Sequence, residues 1–473
     1  MRLRLHRRLT FALIVLAPFA PSSDGEDCPS HPAGTSPHGQ FSEPLRNRAV
    51  VCAGAVSTLE CAMEGGKFVF CNASNVYTDP KTRAFVMYCN PTALFKDAAR
   101  WHTLGKYSPL EFIDIRPPQQ AVRPVQATAD TTLFVSRADC NAPFNQGHCL
   151  ADLVNTFGVR TAYGVTRASA SSLVFTGCRG MEPTSPVFLN YEALARHAHI
   201  GHRCLGGTPT TPLFDGVTLL PQVVFGANPW WSVVWKPRYP VSAKLRFDRV
   251  CGRWVGERCR YPDELLMAFQ REVMRRVDEF QPALDLRGVP TALTHNLDQP
   301  TATPPEGLIV LIDRSSYLMD GTKTPTTGCR RCIVDVEDVW RELVATFGSG
   351  RPLVAIDFKG LPYALQLRVM SFADTVVGVH GAAVSHVVYM RPNSTLIELL
   401  PTDAESRNQN LKMHYEIAAS LGVNYRAVQV PRMKWRHGGV VGGARVVEAM
   451  RRAWRADGCA RLLPAPPSAA RPR

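Results

Sequence analysis

Apolar positions follow two rhythms along this chain, and the second half carries the clearer one. Leu308–Asp313, Pro352–Asp357, Thr375–Val379, Thr395–Leu400 and Tyr425–Val430 are short runs rich in β-branched residues with few polar interruptions. Such runs predict strands buried on both faces, the habit of parallel sheets. Between them Val336–Phe347, Leu361–Ala373, Val384–Met390 and Asp403–Leu421 predict helices, and Val446–Asp457 predicts one more. Asp335 is placed to cap the first of these, with Asp338 in its first turn against the helix dipole. Proline cannot continue a helix, so Arg391-Pro392-Asn393 ends the third. The alternation predicts a parallel βαβ series.

The first half is fainter. Lys67–Phe70, Ala84–Tyr88, Phe112–Ile115, Thr132–Ser136, Ser172–Thr176, Val217–Leu220 and Val223–Phe225 read as strands between turn clusters. Val187–His199 and Pro262–Phe280 read as helices; the second spaces Leu265, Leu266, Phe269, Val273, Met274 and Val277 along one face. Together the halves predict an α/β protein. Gln281–Gly307 changes character and reads as a connector. The organisation expected is a signal segment over 1–23, a stem rich in Ser, Pro, Gly and His over 24–45 and an N-terminal α/β domain over 46–285. A second α/β domain follows over 306–435, then a C-terminal helix and basic tail over 436–473.

The chain has 473 residues, more than one ordinary core holds, and a formal charge of +14. Arg2, Arg4, Arg7 and Arg8 supply four of those charges, and the residues from Pro431 onward a net eight, which leaves two for the long middle. A nearly neutral middle excludes a nucleic-acid-binding face. The apolar run from Leu9 to Ala20 behind the arginines is short of the ~20 residues that span a bilayer. It reads as a secretory signal peptide, or alternatively as an uncleaved signal anchor that attaches the chain to a membrane. Either sends the chain into the lumen of the endoplasmic reticulum or Golgi. The 14 cysteines agree, since an oxidising lumen turns them into a disulfide framework whose pairing sequence does not reveal. Cys329-Arg330-Arg331-Cys332 has redox or zinc spacing, but without a second pair it reads as a local disulfide. Asn72-Ala73-Ser74 and Asn393-Ser394-Thr395 are glycosylation sequons, the second beside the predicted ligand edge.

Candidate chemistry gathers in Ala373–Leu400, ADTVVGVHGAAVSHVVYMRPNSTLIELL. In a βαβ unit the ligand edge lies at the carboxyl ends of the strands, and His380 and Glu398 both fall there. Gly381-Ala382-Ala383 is small enough for a ligand to approach the backbone, where the following helix start offers N–H groups to a phosphate. Glu398 suits a ribose diol. The alternatives are a helix-capping His380 and a buried Glu398 held by a local partner. Arg314 follows Leu308–Asp313, on the same edge, and guanidinium suits bidentate contacts to phosphate. Ser315 and Ser316 add hydroxyls. The whole reads as a nucleotide site.

The run AD-x-x-V-G-V-H-G-A-A-x-S-H-x-x-Y-M-x-P followed by a strand with Glu resembles the signature of family-61 glycosyltransferases. That family includes the EGF-domain O-linked N-acetylglucosamine transferase, the protein O-mannose N-acetylglucosaminyltransferase and the plant β-1,2-xylosyltransferase. The resemblance spans about Gly307 to Val430. It departs at Ala383, where the family usually has glycine, and at Ser385, where it usually has threonine or asparagine. It implies a GT-B-like fold, two Rossmann-like domains facing a cleft. It also implies inverting transfer of N-acetylglucosamine or xylose from a UDP-sugar to a glycoprotein, glycan or polysaccharide hydroxyl. Ile312-Asp313-Arg314 matches the family's arginine motif, which makes Arg314 the leading phosphate cation. His380, with the backbone of Gly381–Ala383, would then meet the diphosphate. The family's Asn-x-x-His segment aligns with Asn228-Pro229-Trp230-Trp231, with tryptophan in place of the histidine. Trp230 and Trp231 are either an acceptor-stacking face or core, and the base passes to Asp215, Asp248 or His202 as candidates. The missing histidine also allows a non-catalytic relative that binds nucleotide-sugar or glycan. No clean D-x-D is present, so the expectation is no metal and no cofactor beyond the donor. A dinucleotide oxidoreductase is disfavoured, because no G-x-G-x-x-G follows a strand.

Overall fold

The computed structural model describes residues 48–64, 67–78, 85–93, 113–129, 131–136, 146–165, 170–176, 197–200, 217–225, 246–248, 253–255, 264–290, 292–313, 332–359, 361–401, 413–430, 433 and 439–454. It is a mixed α/β structure with two large sheets. The first is built from β1 (Arg48–Ala53), β2 (Thr58–Glu64), β3 (Lys67–Thr78), β4 (Phe85–Tyr88), β5 (Asn90–Pro91), β6 (Ile113–Arg116), β7 (Gln126–Ala127) and β8 (Thr131–Ser136), then, after helix α1 (Gln146–Ala162), from β9 (Ala170–Thr176), β10 (His197–Ile200) and β11 (Thr218–Phe225). Its main path runs β10-β9-β8-β11-β3-β2-β1-β5. The β10-β9-β8-β11 part is parallel, whereas β11, β3, β2 and β1 pair antiparallel. The first sheet is therefore mixed rather than all-parallel.

Strands β1, β2, β5 and β7 and helix α1 had no counterpart in the sequence reading, and β11 and β10 differ from it. Val217–Leu220 and Val223–Phe225 join into the single strand β11 through Pro221. That proline falls where β11 exchanges its partner β7 for β8, so its missing N–H interrupts no parallel ladder. His197–Ile200, the end of an expected helix, pairs parallel with β9 instead, a tertiary partner overriding the local pattern. The rest of that expected helix lies outside the described residues. Disulfides Cys52–Cys89 and Cys61–Cys71 cross the antiparallel part, where all four cysteines are buried. Cys332 is also disulfide-bonded, and Cys329 lies outside the described residues.

A small hairpin, β12 (Arg246–Asp248) with β13 (Arg253–Val255), precedes helix α2 (Glu264–Phe280). The second sheet then takes β14 (Ala292–His295), β15 (Ile309–Asp313), helix α3 (Val336–Phe347), β16 (Leu353–Asp357), helix α4 (Tyr363–Phe372), β17 (Thr375–Val379), a 3-10 segment over Ala382–Tyr389, β18 (Thr395–Pro401), helix α5 (Met413–Ser420), β19 (Asn424–Val430) and helix α6 (Gly443–Trp454). The strand order is β14-β16-β15-β17-β18-β19, parallel except for β14, which pairs antiparallel with β16. The expected connector Gln281–Gly307 thus contributes an edge strand. The 3-10 segment Ala382–Tyr389 stands where an α-helix over Val384–Met390 was expected.

Alternation along the parallel strands explains the double covering. Ile309, Leu311, Val377, Val379, Ile397 and Leu399 face α3 and α6, while Val310, Ile312, Val376, Leu396 and Leu400 face the opposite layer of α4, the 3-10 segment and α5. That second layer shares one continuous core with α1 and α2. Gln270 Nε2 donates to the Met390 carbonyl at 2.7 Å. The buried Arg368 on α4 pairs with Asp278 on α2 at 2.6 Å. Asp335 makes no cap at the start of α3; its carboxylate accepts from the backbone N–H groups of Val441 and Gly442, both at 2.8 Å, and holds the approach to α6.

Candidate active site

Taken in chain order, the five parallel strands of the second sheet lie as second, first, third, fourth, fifth. The first connection runs one way from β15 and the later ones run the other, so the chain switches direction between β15 and β17. A crevice opens beyond the carboxyl ends at such a point, which is where doubly wound sheets bind ligands. His380 sits there, directly after β17, with its N–H donating to the Leu399 carbonyl at 3.0 Å. Gly378 allows the 3-10 segment to fold over the strands, since a Cβ there would meet Val384 Cγ2 at 3.1 Å and Ile312 Cβ at 3.3 Å. Gly381 turns the chain at φ 152° and ψ −170°, an extended conformation at positive φ that other residues avoid. Ala382 and Ala383, half-buried, then open the segment with N–H groups that lack partners within its first turn.

Glu398 lies completely buried in β18 and is the centre of a hydrogen-bonded cluster. Its Oε1 meets His380 Nδ1 at 2.5 Å and His414 Nδ1 at 2.6 Å, and its Oε2 accepts from the Tyr425 hydroxyl at 2.5 Å. His414 Nε2 lies 3.0 Å from Ser385 Oγ. An ionised carboxylate only accepts, so each imidazole donates from Nδ1, and the Nε2 of a neutral His414 ring accepts from the serine. The two rings are 4.9 Å apart. Burial acts to raise the Glu398 pKa, but His414 and His380 pull it well below the ordinary carboxylate range. Burial and the Glu398 charge push the Tyr425 phenol well above its usual value and keep it a donor.

Glu398 was expected to hold a ribose; here its carboxylate is held by His380, His414 and Tyr425. With both oxygens engaged and no exposure, the carboxylate orients the imidazole at the edge instead. His380, Glu398 and His414 also form a set of metal-ligand type, with ligand atoms within 4.8 Å of one another. Two ligands at about 2.0–2.2 Å from a shared ion stand roughly 3 Å or more apart. The contacts of 2.5 and 2.6 Å suit shared protons, and the His–Glu set does not fit a cation as it stands.

Of the expected site residues, His380, Gly381, Ala382, Ala383 and Glu398 come together on this edge. Arg314, Ser315 and Ser316 lie outside the described residues, as do Asp215, His202, Asn228, Trp230 and Trp231. The strand that leads to Arg314 ends at Asp313, beside β17. Asp248 ends β12, in the separate hairpin. Sequence reasoning missed His414, Tyr425 and the role of Ser385. One signal existed: a glutamate inside the apolar run Thr395–Leu400 must find donors once buried, and a buried tyrosine must place its hydroxyl.

Residues 241–397 match the family model described as Glycosyltransferase 61, which bears out over that stretch the resemblance carried by the His380 motif and points to glycosyltransferase activity. No curated protein matches the chain.

Proposed function

We propose that the chain is an inverting glycosyltransferase that moves N-acetylglucosamine or xylose from a UDP-sugar to a hydroxyl of a glycoprotein, glycan or polysaccharide. The observation that carries this reading is the oriented His380–Glu398 pair at the switch-point edge, with His380 inside the stretch that matches the family and Glu398 directly after its end. In this reading the two sheets form the lobes of a GT-B arrangement and the donor lies between them. Arg314 and the backbone of Gly381–Ala383 take the diphosphate, with Ser315 and Ser316 beside them. Glu398 fixes the plane of His380 and offsets the positive charge of its imidazolium, whose Nε2–H donates to the departing diphosphate as negative charge builds there. The reaction uses no metal and no cofactor beyond the donor. Asp215, Asp248 and His202 remain the candidate bases, and Asn228, Trp230 and Trp231 the acceptor side. The protein works in the endoplasmic reticulum or Golgi lumen, delivered or anchored by its N-terminal segment.

A panel of UDP- and GDP-sugars tested by thermal shift identifies the donor, because a bound donor raises Tm by mass action. Transfer by the same protein should then vanish in a folded Arg314→Ala variant, and full activity in that variant would overturn the reading. Trp231 standing where the family has histidine favours a second reading, a non-catalytic relative. Donor binding without transfer, and without donor hydrolysis in the absence of acceptor, would select it.

A further inference from the structure

The two sequons occupy very different places. Asn72 lies in the middle of β3, flanked on one side by β2, where it faces Glu60, and on the other by β11, where it faces Val224. It is half-buried, and its side-chain carbonyl accepts from Gln222 Nε2 at 3.1 Å. Gln222 is held in turn by the Thr131 hydroxyl at 2.7 Å. The sequon's own serine, Ser74, shares a 2.5 Å hydrogen bond with Thr58 across the neighbouring strand. A glycan on Asn72 would have to break into a polar ladder that ties four strands together.

Asn393 is the reverse case. It is exposed, in the turn that leads into β18, and adopts the left-handed conformation at φ 66°, which asparagine tolerates better than most residues. Its backbone is anchored: the N–H donates to the Gly422 carbonyl at 2.8 Å, and its carbonyl accepts from Asn424 Nδ2 at 3.4 Å. Its side-chain amide takes part in no hydrogen bond among the described residues. The neighbours Pro392 and Asn424 are exposed as well. This places the side-chain amide of an exposed residue on a turn held by backbone hydrogen bonds.

The turn also lies away from the candidate active site, contrary to the sequence expectation. Thr395 pairs with Thr375 at the amino ends of β18 and β17, whereas His380 follows the carboxyl end of β17. Five residues at about 3.3 Å each separate the two edges by roughly 17 Å.

We infer that Asn393 is an N-glycosylation site and that Asn72 stays bare. The acceptor chemistry is an N-linked oligosaccharide joined to the Asn393 side-chain nitrogen. The oligosaccharide leaves its lipid diphosphate carrier as the new C–N bond forms, and the amide gives up one proton. The inference requires passage through an oxidising lumen, which the Cys52–Cys89 and Cys61–Cys71 bridges support, and it does not rest on the transfer reaction.

The test is the full chain recovered from the secretory pathway of a eukaryotic host, deglycosylated with an amidase in heavy-oxygen water and mapped by peptide mass spectrometry. The Asn393 peptide should carry the labelled Asn-to-Asp conversion and the Asn72 peptide should not. On gels, wild type and Asn72→Gln should each lose one mobility step on deglycosylation, and Asn393→Gln should show none while keeping its donor-induced thermal shift. A labelled Asn72, an unlabelled Asn393 or a chain that never enters the pathway would each overturn the inference. The peptide map reads the wild-type protein, so a poorly folding variant does not blur the result.

Discussion

The two sheets reach stability by different means, and the contrast explains why the candidate chemistry sits on one of them. The antiparallel part of the first sheet buries its residues around two disulfides, with the short polar ladder of Asn72, Gln222, Thr131 and Ser74 on its other face. The second sheet is covered on both faces by apolar layers, and among the described residues the Glu398 cluster is the fully buried polar hub at its carboxyl edge. Covalent closure does not depend on local geometry beyond the bridge. A buried carboxylate holds only if every donor stays in place. The second arrangement is the fragile one, and fragility of that kind is tolerated where orientation of a side chain has a use.

Removing the hub should therefore have the largest effect. Glu398→Ala leaves His380, His414 and Tyr425 with buried polar atoms and no acceptor, and breaking a buried charged pair costs about 3–5 kcal/mol. Urea unfolding should show that loss, and transfer activity should fall with it. An unchanged midpoint would mean that the cluster is not the polar centre of the second sheet.

The first sheet offers the matching test. The bridges close sequence separations of 37 and 10 residues. Loop-closure entropy assigns them about 4 and about 3 kcal/mol respectively. Replacing Cys52 and Cys89 together by serine should lower Tm more than replacing Cys61 and Cys71, and calorimetry of the two double variants checks the order. Equal losses would show that packing around the bridges outweighs chain closure.

Much of this contrast was legible in the sequence for one sheet and little of it for the other. A parallel strand buried on both faces needs only its own apolar residues, so Leu308–Asp313 and Thr375–Val379 announce themselves. β10 depends on a partner strand, and the pairing of Cys61 with Cys71 rather than with another of the 14 cysteines depends on β2 and β3 lying side by side. β14 is hidden for a related reason: a four-residue edge strand in a Pro- and Thr-rich stretch has its register set by β16 alone. The site divides in the same way. His380 and its glycines are local, and their edge follows from the strand order. The partners of Glu398 lie 18, 16 and 27 residues away, and only the fold brings them together.

A finer probe of the hub is Tyr425→Phe. It keeps the ring and removes the donor to Glu398 Oε2. A hydrogen bond to a charged group contributes about 1.5–3 kcal/mol, so chemical unfolding should show a loss in that range. The hub also fixes the acid limit of the second sheet. Because the folded pKa of Glu398 is depressed, its contribution is present above the unfolded carboxylate range and is lost as pH falls through the folded value. In Tyr425→Phe the carboxylate is less well held, so acid unfolding should begin at higher pH than in the wild type. An identical acid transition in the two proteins would count against the hub.

The smallest effect at neutral pH belongs to His386, the buried imidazole within the 3-10 segment. Its Nδ1 donates to the Ala383 carbonyl at 2.9 Å, and its ring packs against Phe358 and Tyr363 at centroid distances of 5.3 and 5.5 Å. Its Nε2 is buried with no hydrogen-bond partner among the described residues. Burial pushes this imidazole down to about 4, against hydrogen bonds it makes to the backbone of Ala383 and Ala382, which act to raise it. Below the unfolded value the unfolded chain binds the proton that the folded ring refuses, so the His386 contribution is complete above that value and declines as pH falls towards 4. The decline amounts to about 3 kcal/mol, from roughly 1.4 kcal/mol for each tenfold change. His386→Phe keeps an aromatic ring in the aromatic surroundings and removes both the orphan acceptor and the titration. At pH 7 it should change stability by less than about 1 kcal/mol, the lost Nδ1 hydrogen bond being offset by the removed polar atom. Between pH 6 and pH 4 its stability should fall less steeply than that of the wild type, which urea titrations at several pH values would measure. Parallel curves would assign the acid sensitivity of this layer to Glu398 alone.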